Sequence, residues 1–377
     1  MSIRDLMAFK NRAICSVLKL SLIFLLASCE KTMDIQEEQV EPKDTKPAVL
    51  PDYANVHGIY VGTSDDVQQI VKTVKEFGAN AVVMDVKDER GDVTCDLDLA
   101  PRYRKSIRIR NVGKVIAALR SKGIYTIARI VTFRDHYAVH AFSGFAIRNK
   151  DGSVVVDKEK SSWLNPYNEK VWDYVIQIAK AAAKVGFDEI QFDYVRFSPY
   201  KNPDADLGPR SESISRVEII TRFLEYAVRI LHPLGVKVSA DVFGCIIPGS
   251  LGEDTVLSTE RLGQDWGRIA KTVDCICPMI YPSHWPLNSL GTKYPDKEPY
   301  KVIYSATKLA VDATKLIPGK CAVVRPFFQA FTATWLPKEI YKTYSNRDLQ
   351  EQVSAGEEAG AGGFLLWNPR ANYEAFH

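Results

Sequence analysis

The sequence predicts an α/β protein of the (β/α)8 TIM barrel class, one domain over residues 56–377. Three observations predict it. From Gly58 onward eight short apolar runs alternate with amphipathic stretches, the pattern of a parallel sheet with right-handed helical crossovers. The 377 residues accommodate one such barrel and a tail. No run is followed by G-x-G-x-x-G or G-x-x-x-x-G-K-[ST], so the dinucleotide and P-loop folds lack their phosphate cradle.

The elements follow in order. The first strand is Gly58–Gly62, and Ser64 is the expected N-cap of the next helix, with Asp65 and Asp66 in its first turn. Val67, Ile70, Val71, Val74 and Phe77 give that helix an apolar face, and Gly78 stops it. The second strand is Ala81–Val86, followed by a helix over Val112–Ser121. The third is Tyr125–Phe133, with a long loop to Asn165 and a helix over Asn168–Lys184. The fourth is Glu189–Phe197, before a helix over Ser213–Leu231. The fifth is Lys237–Phe243, before a helix over Thr259–Lys271. The sixth is Asp274–Tyr281, before a helix over Lys301–Leu316. The seventh is Cys321–Phe328, before a helix capped by Asn346 that runs to Ala359. Gly363–Trp367 is the eighth.

Residues 1–28 read as a lipoprotein signal peptide. Arg4, Lys10, Arg12 and Lys19 precede the apolar run Leu20–Leu26, which is too short to span a bilayer. Leu26-Ala27-Ser28-Cys29 resembles the bacterial lipobox, in which the Cys becomes the lipidated N-terminus. A plain signal peptide is the alternative. Residues 29–55 are polar, with Pro42, Pro47 and Pro51, and read as a disordered tether. Cys29 is thus expected to hold the domain to a membrane of the bacterial cell envelope, periplasmic or at the cell surface. Cys95, Cys245, Cys275, Cys277 and Cys321 remain, an odd number without metal spacing, and read as core residues.

Hydrophobic residues at 46% and charged residues at 25% allow a sizeable core. A net charge of +3 without a Lys/Arg run excludes a nucleic-acid footprint. There is no H-E-x-x-H and no clustered His, so neither metal nor cofactor is expected.

Barrel chemistry sits at the C-terminal ends of the strands. There the apolar pattern is broken by Asp85 and Lys87 on strand two, Arg129 on three, Asp193 and Arg196 on four and Asp241 on five. Period-two alternation puts Gln191, Asp193 and Val195 on one face, Ser239, Asp241 and Phe243 on another, and Val83, Asp85 and Lys87 on a third. Adjacent strands lie ~4.8 Å apart, so Asp193 and Asp241 can meet. Two neighbouring carboxylates in different environments are what glycosidic cleavage requires. Each residue also has a plainer reading. Asp193 is otherwise a structural partner of Arg196 or Arg129, Asp241 a partner for a Lys or a helix cap, and Asp85 with Lys87 a mutual ion pair. Arg129 either orients Asp193 or closes a polar layer. Tyr281 and His284 end strand six, Arg325 and Gln329 share a face on strand seven and Trp367 ends strand eight, where each either contacts sugar or fills the structure.

Residues 56–367 resemble a bacterial family of glycoside hydrolases distantly related to the α-amylase-like group. The resemblance is carried by His57-Gly58-Ile59-Tyr60, by Val83 to Asp88, by Trp163-Leu164-Asn165-Pro166 and above all by Phe187 to Phe197. Ser239 to Gly244 and Met279 to His284 add to it. It implies a carbohydrate substrate, Asp193 as nucleophile and Asp241 as general acid/base. Asp replaces the Glu usual on strand five, one methylene shorter, which leaves retaining and inverting geometries open. A non-catalytic carbohydrate-binding lipoprotein on the same barrel is the second reading, and a hydrolase of cell-wall amides the third.

Overall fold

The computed structural model describes residues 49–376, so the leader, Cys29 and nearly all of the tether lie outside the described residues. Eight parallel strands close on themselves: β1 Val56–Gly62, β2 Ala81–Lys87, β3 Tyr125–Val131, β4 Glu189–Asp193, β5 Lys237–Phe243, β6 Cys275–Met279, β7 and β8 Gly363–Trp367. β7 is broken into Val323–Val324 and Phe327–Gln329, because Pro326 between them has no N–H to give the ladder. β1 pairs with both β2 and β8, which completes the ring.

The helices lie outside. They are α1 Val67–Glu76, α2 Val112–Arg120, α3 Glu169–Lys184, α4 Arg216–Leu231, α5 Glu253–Leu262, α6 Trp266–Thr272, α7 Pro299–Lys315 and α8 Asn346–Glu358. Strand side chains alternate between two apolar layers. Ala81, Val83, Ile127, Cys275, Cys277 and Leu365 fill the interior. Val82, Met84, Ala128, Ile190, Phe192 and Val238 pack outward against the helices. Each fully buried Val, Ile or Phe contributes ~1.5–3 kcal/mol, so the double layer drives closure.

Several boundaries differ from the sequence reading. β4 stops at Asp193 because Tyr194 takes a left-handed φ of 51°. The helix expected over Thr259–Lys271 is two helices, α5 and α6, parted at Gly263. That residue has φ +75°, and a Cβ there would stand 2.7 Å from the Arg216 carbonyl oxygen. Asp66, not Ser64, caps α1 by accepting from the Gln69 amide. Ser345, not Asn346, caps α8, in a capping box with Asp348. Two short strands missed from sequence, Val93–Cys95 and Lys105–Ile109, extend the sheet from β2. The first is too short to show a period, and the second is short and interrupted by Lys105 and Arg108. All five cysteines of the barrel are free thiols.

Candidate active site

Arg129 is the hub of the barrel mouth. It lies two residues before the end of β3, beside Asp85 of β2, and is 2% exposed. Nη1 donates to Asp85 Oδ1 at 2.7 Å. Nε and Nη2 both donate to Asp193 Oδ2, at 2.9 and 2.6 Å, and Nη2 also reaches Glu89 Oε1 at 3.0 Å. The Tyr60 hydroxyl donates to Asp85 Oδ2 at 2.6 Å, and Trp367 packs over the guanidinium at 5.2 Å. Charge-assisted bonds of this kind fix geometry as well as energy. Burial pulls the Arg129 pKa down, but Asp85, Asp193 and Glu89 outweigh it and hold it well above the usual value. Asp193 Oδ1 accepts from the Tyr194 amide at 2.6 Å, a contact that the left-handed turn makes possible.

Asp241 sits on the neighbouring strand. The register pairs Gln191 with Ser239 and Phe192 with Ala240, which carries on to set Asp193 level with Asp241. Asp241 is 2% exposed, and its Oδ1 has no hydrogen-bond partner among the described residues. Burial, then the negative charge of Asp193, push its pKa well above the usual carboxylate range, against the pull of Arg129. The buried Gln264 fixes the strand end, donating to the Asp241 carbonyl at 3.1 Å and accepting from the Phe243 amide at 3.1 Å. Tyr281 hangs over both acids. Its hydroxyl has no partner among the described residues, and burial, then Asp193 and Asp241, raise its pKa.

These groups open into a cleft of about 540 Å³ at the mouth. Arg129, Asp193, Arg196 and Asp241 line it. Tyr281, His284 and Trp367 line it as well. Gly244 shapes one wall, since a Cβ there would stand 2.8 Å from the Trp285 ring. Burial lowers the His284 pKa, so the imidazole is neutral at ordinary pH.

Four residues singled out in the sequence do not line the cleft, and one of them, Arg325, is buried against Glu189 at the start of β4. Asp85 lies behind Arg129 and holds it. Lys87 does not share the Asp85 face: the β2–β3 register slips between them, and Lys87 turns into the core. There it is wholly buried, bound to Asp135 at 2.9 Å and to the Val131 carbonyl at 2.8 Å. The Asp85–Lys87 ion pair is therefore replaced by two others. Gln329 is also buried, and holds the loop after β6 through the Ser283 amide and hydroxyl and Asp296.

Glu89 and Glu159 were missed. Glu89 lies within the charged run Lys87-Asp88-Glu89-Arg90, which marks a polar strand end without singling out Glu89. Glu159 reaches the cleft from the loop after β3, and no pattern marks it. Trp163 both lines the cleft and anchors that loop, donating to Asp157 at 2.8 Å. Among the described residues no cluster of three His, Cys, Asp or Glu side chains could hold a metal.

The fold and the site define a class: a (β/α)8 barrel with its polar groups gathered in a cleft at the C-terminal ends of the strands. Residues 55–373 match the family described as "Putative glycosyl hydrolase domain", and the chain belongs to that family. A solved hypothetical protein from Ruminiclostridium thermocellum is 34% identical, over 49% of this chain and 97% of its own, with TM-score 0.43. The PgaB (BpsB) glycoside hydrolase domain from Bordetella bronchiseptica has the same fold at 14% identity, over 84% of this chain and 94% of its own, with TM-score 0.57. No curated protein matches the chain.

Proposed function

We propose that the chain hydrolyses O-glycosidic bonds in an extracytoplasmic polysaccharide, with Asp193 as nucleophile and Asp241 as general acid/base. One observation carries the reading: an arginine-clamped carboxylate and a buried carboxyl with a raised pKa stand side by side on adjacent strands, in one cleft. Unequal environments separate the two roles. Asp241 gives its proton to the leaving glycosidic oxygen as an Asp193 oxygen attacks the anomeric carbon. The glycosyl ester is then opened by a water whose proton returns to Asp241, freeing Asp193. Arg129 keeps the attacking oxygen on line. Neighbouring strands ~4.8 Å apart favour the close spacing of a retaining enzyme.

Asp193→Asn tests this. Hydrolysis should vanish while sugar binding stays, and unchanged turnover would reject the assignment. The anomer first released, followed by NMR, should have the configuration of the substrate.

Binding without cleavage is the second reading, favoured by the 2% exposure of Asp241. A glycan bound by the wild type but never turned over would select it. The lipid anchor on Cys29, behind a signal over residues 1–28 and a tether over 29–55, places the barrel at the cell envelope. Its support is the lipobox-like sequence, and Cys29→Ser should abolish lipid incorporation and release the protein in soluble form.

A further inference from the structure

One cation in the cleft has no anion. Arg196 follows β4, is 6% exposed, and forms no ion pair among the described residues. Its one hydrogen bond runs from Nη1 to the Phe197 carbonyl at 3.0 Å. Three rings surround the guanidinium: Phe243 at 4.2 Å, Trp163 at 4.9 Å and Tyr194 at 5.0 Å from their centroids. Rings hold the cation by its faces and leave its edge free. Among the described residues Nε and Nη2 on that edge meet no acceptor, and Arg196 lines the cleft.

The acids nearby are engaged elsewhere. Asp193 is clamped by Arg129. Glu159 accepts from the Tyr200 hydroxyl at 2.9 Å and faces Arg134 at 4.0 Å. Arg134 donates to the Tyr194 hydroxyl at 3.0 Å, which adds a second positive charge on this side. Burial pulls the Arg196 pKa down, and unlike Arg129 no carboxylate reverses it. A desolvated charge is costly until it is paired. A planar anion with two oxygens fits the free Nε–Nη2 edge.

The geometry points to an anionic subsite in which Arg196 receives the carboxylate of an acidic sugar, so that the polysaccharide is uronate-containing. Cleavage of that polysaccharide rests on the hydrolase reading; the subsite itself does not. The test uses the full chain carrying Asp193→Asn, to hold glycans uncleaved. Binding to polygalacturonate, alginate and hyaluronan is compared with binding to the same polymers after carboxyl reduction, which removes the charge and keeps the linkages. A sulfated neutral glycan is included.

At least one native uronate polymer should bind 10-fold or more tighter than its reduced form, and adding Arg196→Gln should weaken it by about 10–100-fold. Arg196→Lys should recover only part of this, lacking the fork. Melting curves check that each variant is folded. Equal binding of native and reduced polymers overturns the proposal. So does binding confined to neutral or sulfated glycans, or binding indifferent to Arg196→Gln in a folded variant. If the wild type binds the acidic glycan but releases no product, the subsite stands and the hydrolase reading fails.

Discussion

Two buried arginines divide the barrel interior into a floor and a mouth. At the floor, Arg325 of β7 meets Glu189 of β4 through contacts of 2.9–3.2 Å, and Nη2 also reaches the Tyr53 carbonyl. Glu189 accepts further from Ser239 and Tyr125. One positive charge faces one negative charge, both fully buried, with only Arg325 Nε left without an acceptor. At the mouth, one Arg129 serves three carboxylates, and Asp241 stands beside them unpaired. The floor is balanced and closed to solvent. Around Arg129 the mouth has an excess of acid, and the cleft is open. A fold that only needed stability would repeat the floor at both ends; the imbalance marks where chemistry is held ready.

The comparison breaks most sharply at Asp193. Asp193→Asn should lower turnover by ~10³-fold or more with little change in melting temperature, measured on any glycan the wild type cleaves. At the floor the effects should invert. Arg325→Met strands a buried Glu189 and should cost ~3–5 kcal/mol of stability in denaturant titrations, with turnover per folded molecule unchanged. Adding Glu189→Leu should restore much of that loss. If Arg325→Met instead spared stability and removed activity, floor and mouth would not be separate.

A smaller effect concerns pH. The raised pKa of Asp241 means that the folded chain keeps a proton that the unfolded chain releases near pH 4. Stability from this group is therefore present at low pH and is lost as pH rises from there toward the folded pKa. Proton donation fails on the same alkaline side. Asp241→Asn should flatten the fall in melting temperature with pH and remove the alkaline limb of any residual activity. A wild-type melting temperature that rises through this window while the variant's stays flat would contradict the assignment. The smallest effect is expected at Trp367, which packs on Arg129 and lines the cleft. Trp367→Leu should cost ~0.5–2 kcal/mol and raise KM more than it lowers kcat.

The barrel was legible because each strand carries its own code, a short apolar run buried on both faces, and helices of three- and four-residue period separate these runs. Asp193 and Asp241 stood out because an Asp inside an apolar strand end violates that code. Lys87 showed the limit: period two held through Asp85, and one slip in register reversed the next side chain. Glu89 joins the hub from within a charged run, where no alternation distinguishes it from solvated neighbours. Gln329 read as a rim residue but was claimed by Ser283 and Asp296, partners more than thirty residues away in the chain.

Sequence alone determined the eight strands and the class of chemistry their rim can support, since local periodicity and residue type are properties of short segments. Tertiary structure decided which acid Arg129 clamps, which acid is buried without a partner and which cation has no ion pair among the described residues. Those outcomes depend on distance and desolvation between strands remote in the chain, and neither is encoded until the ring closes.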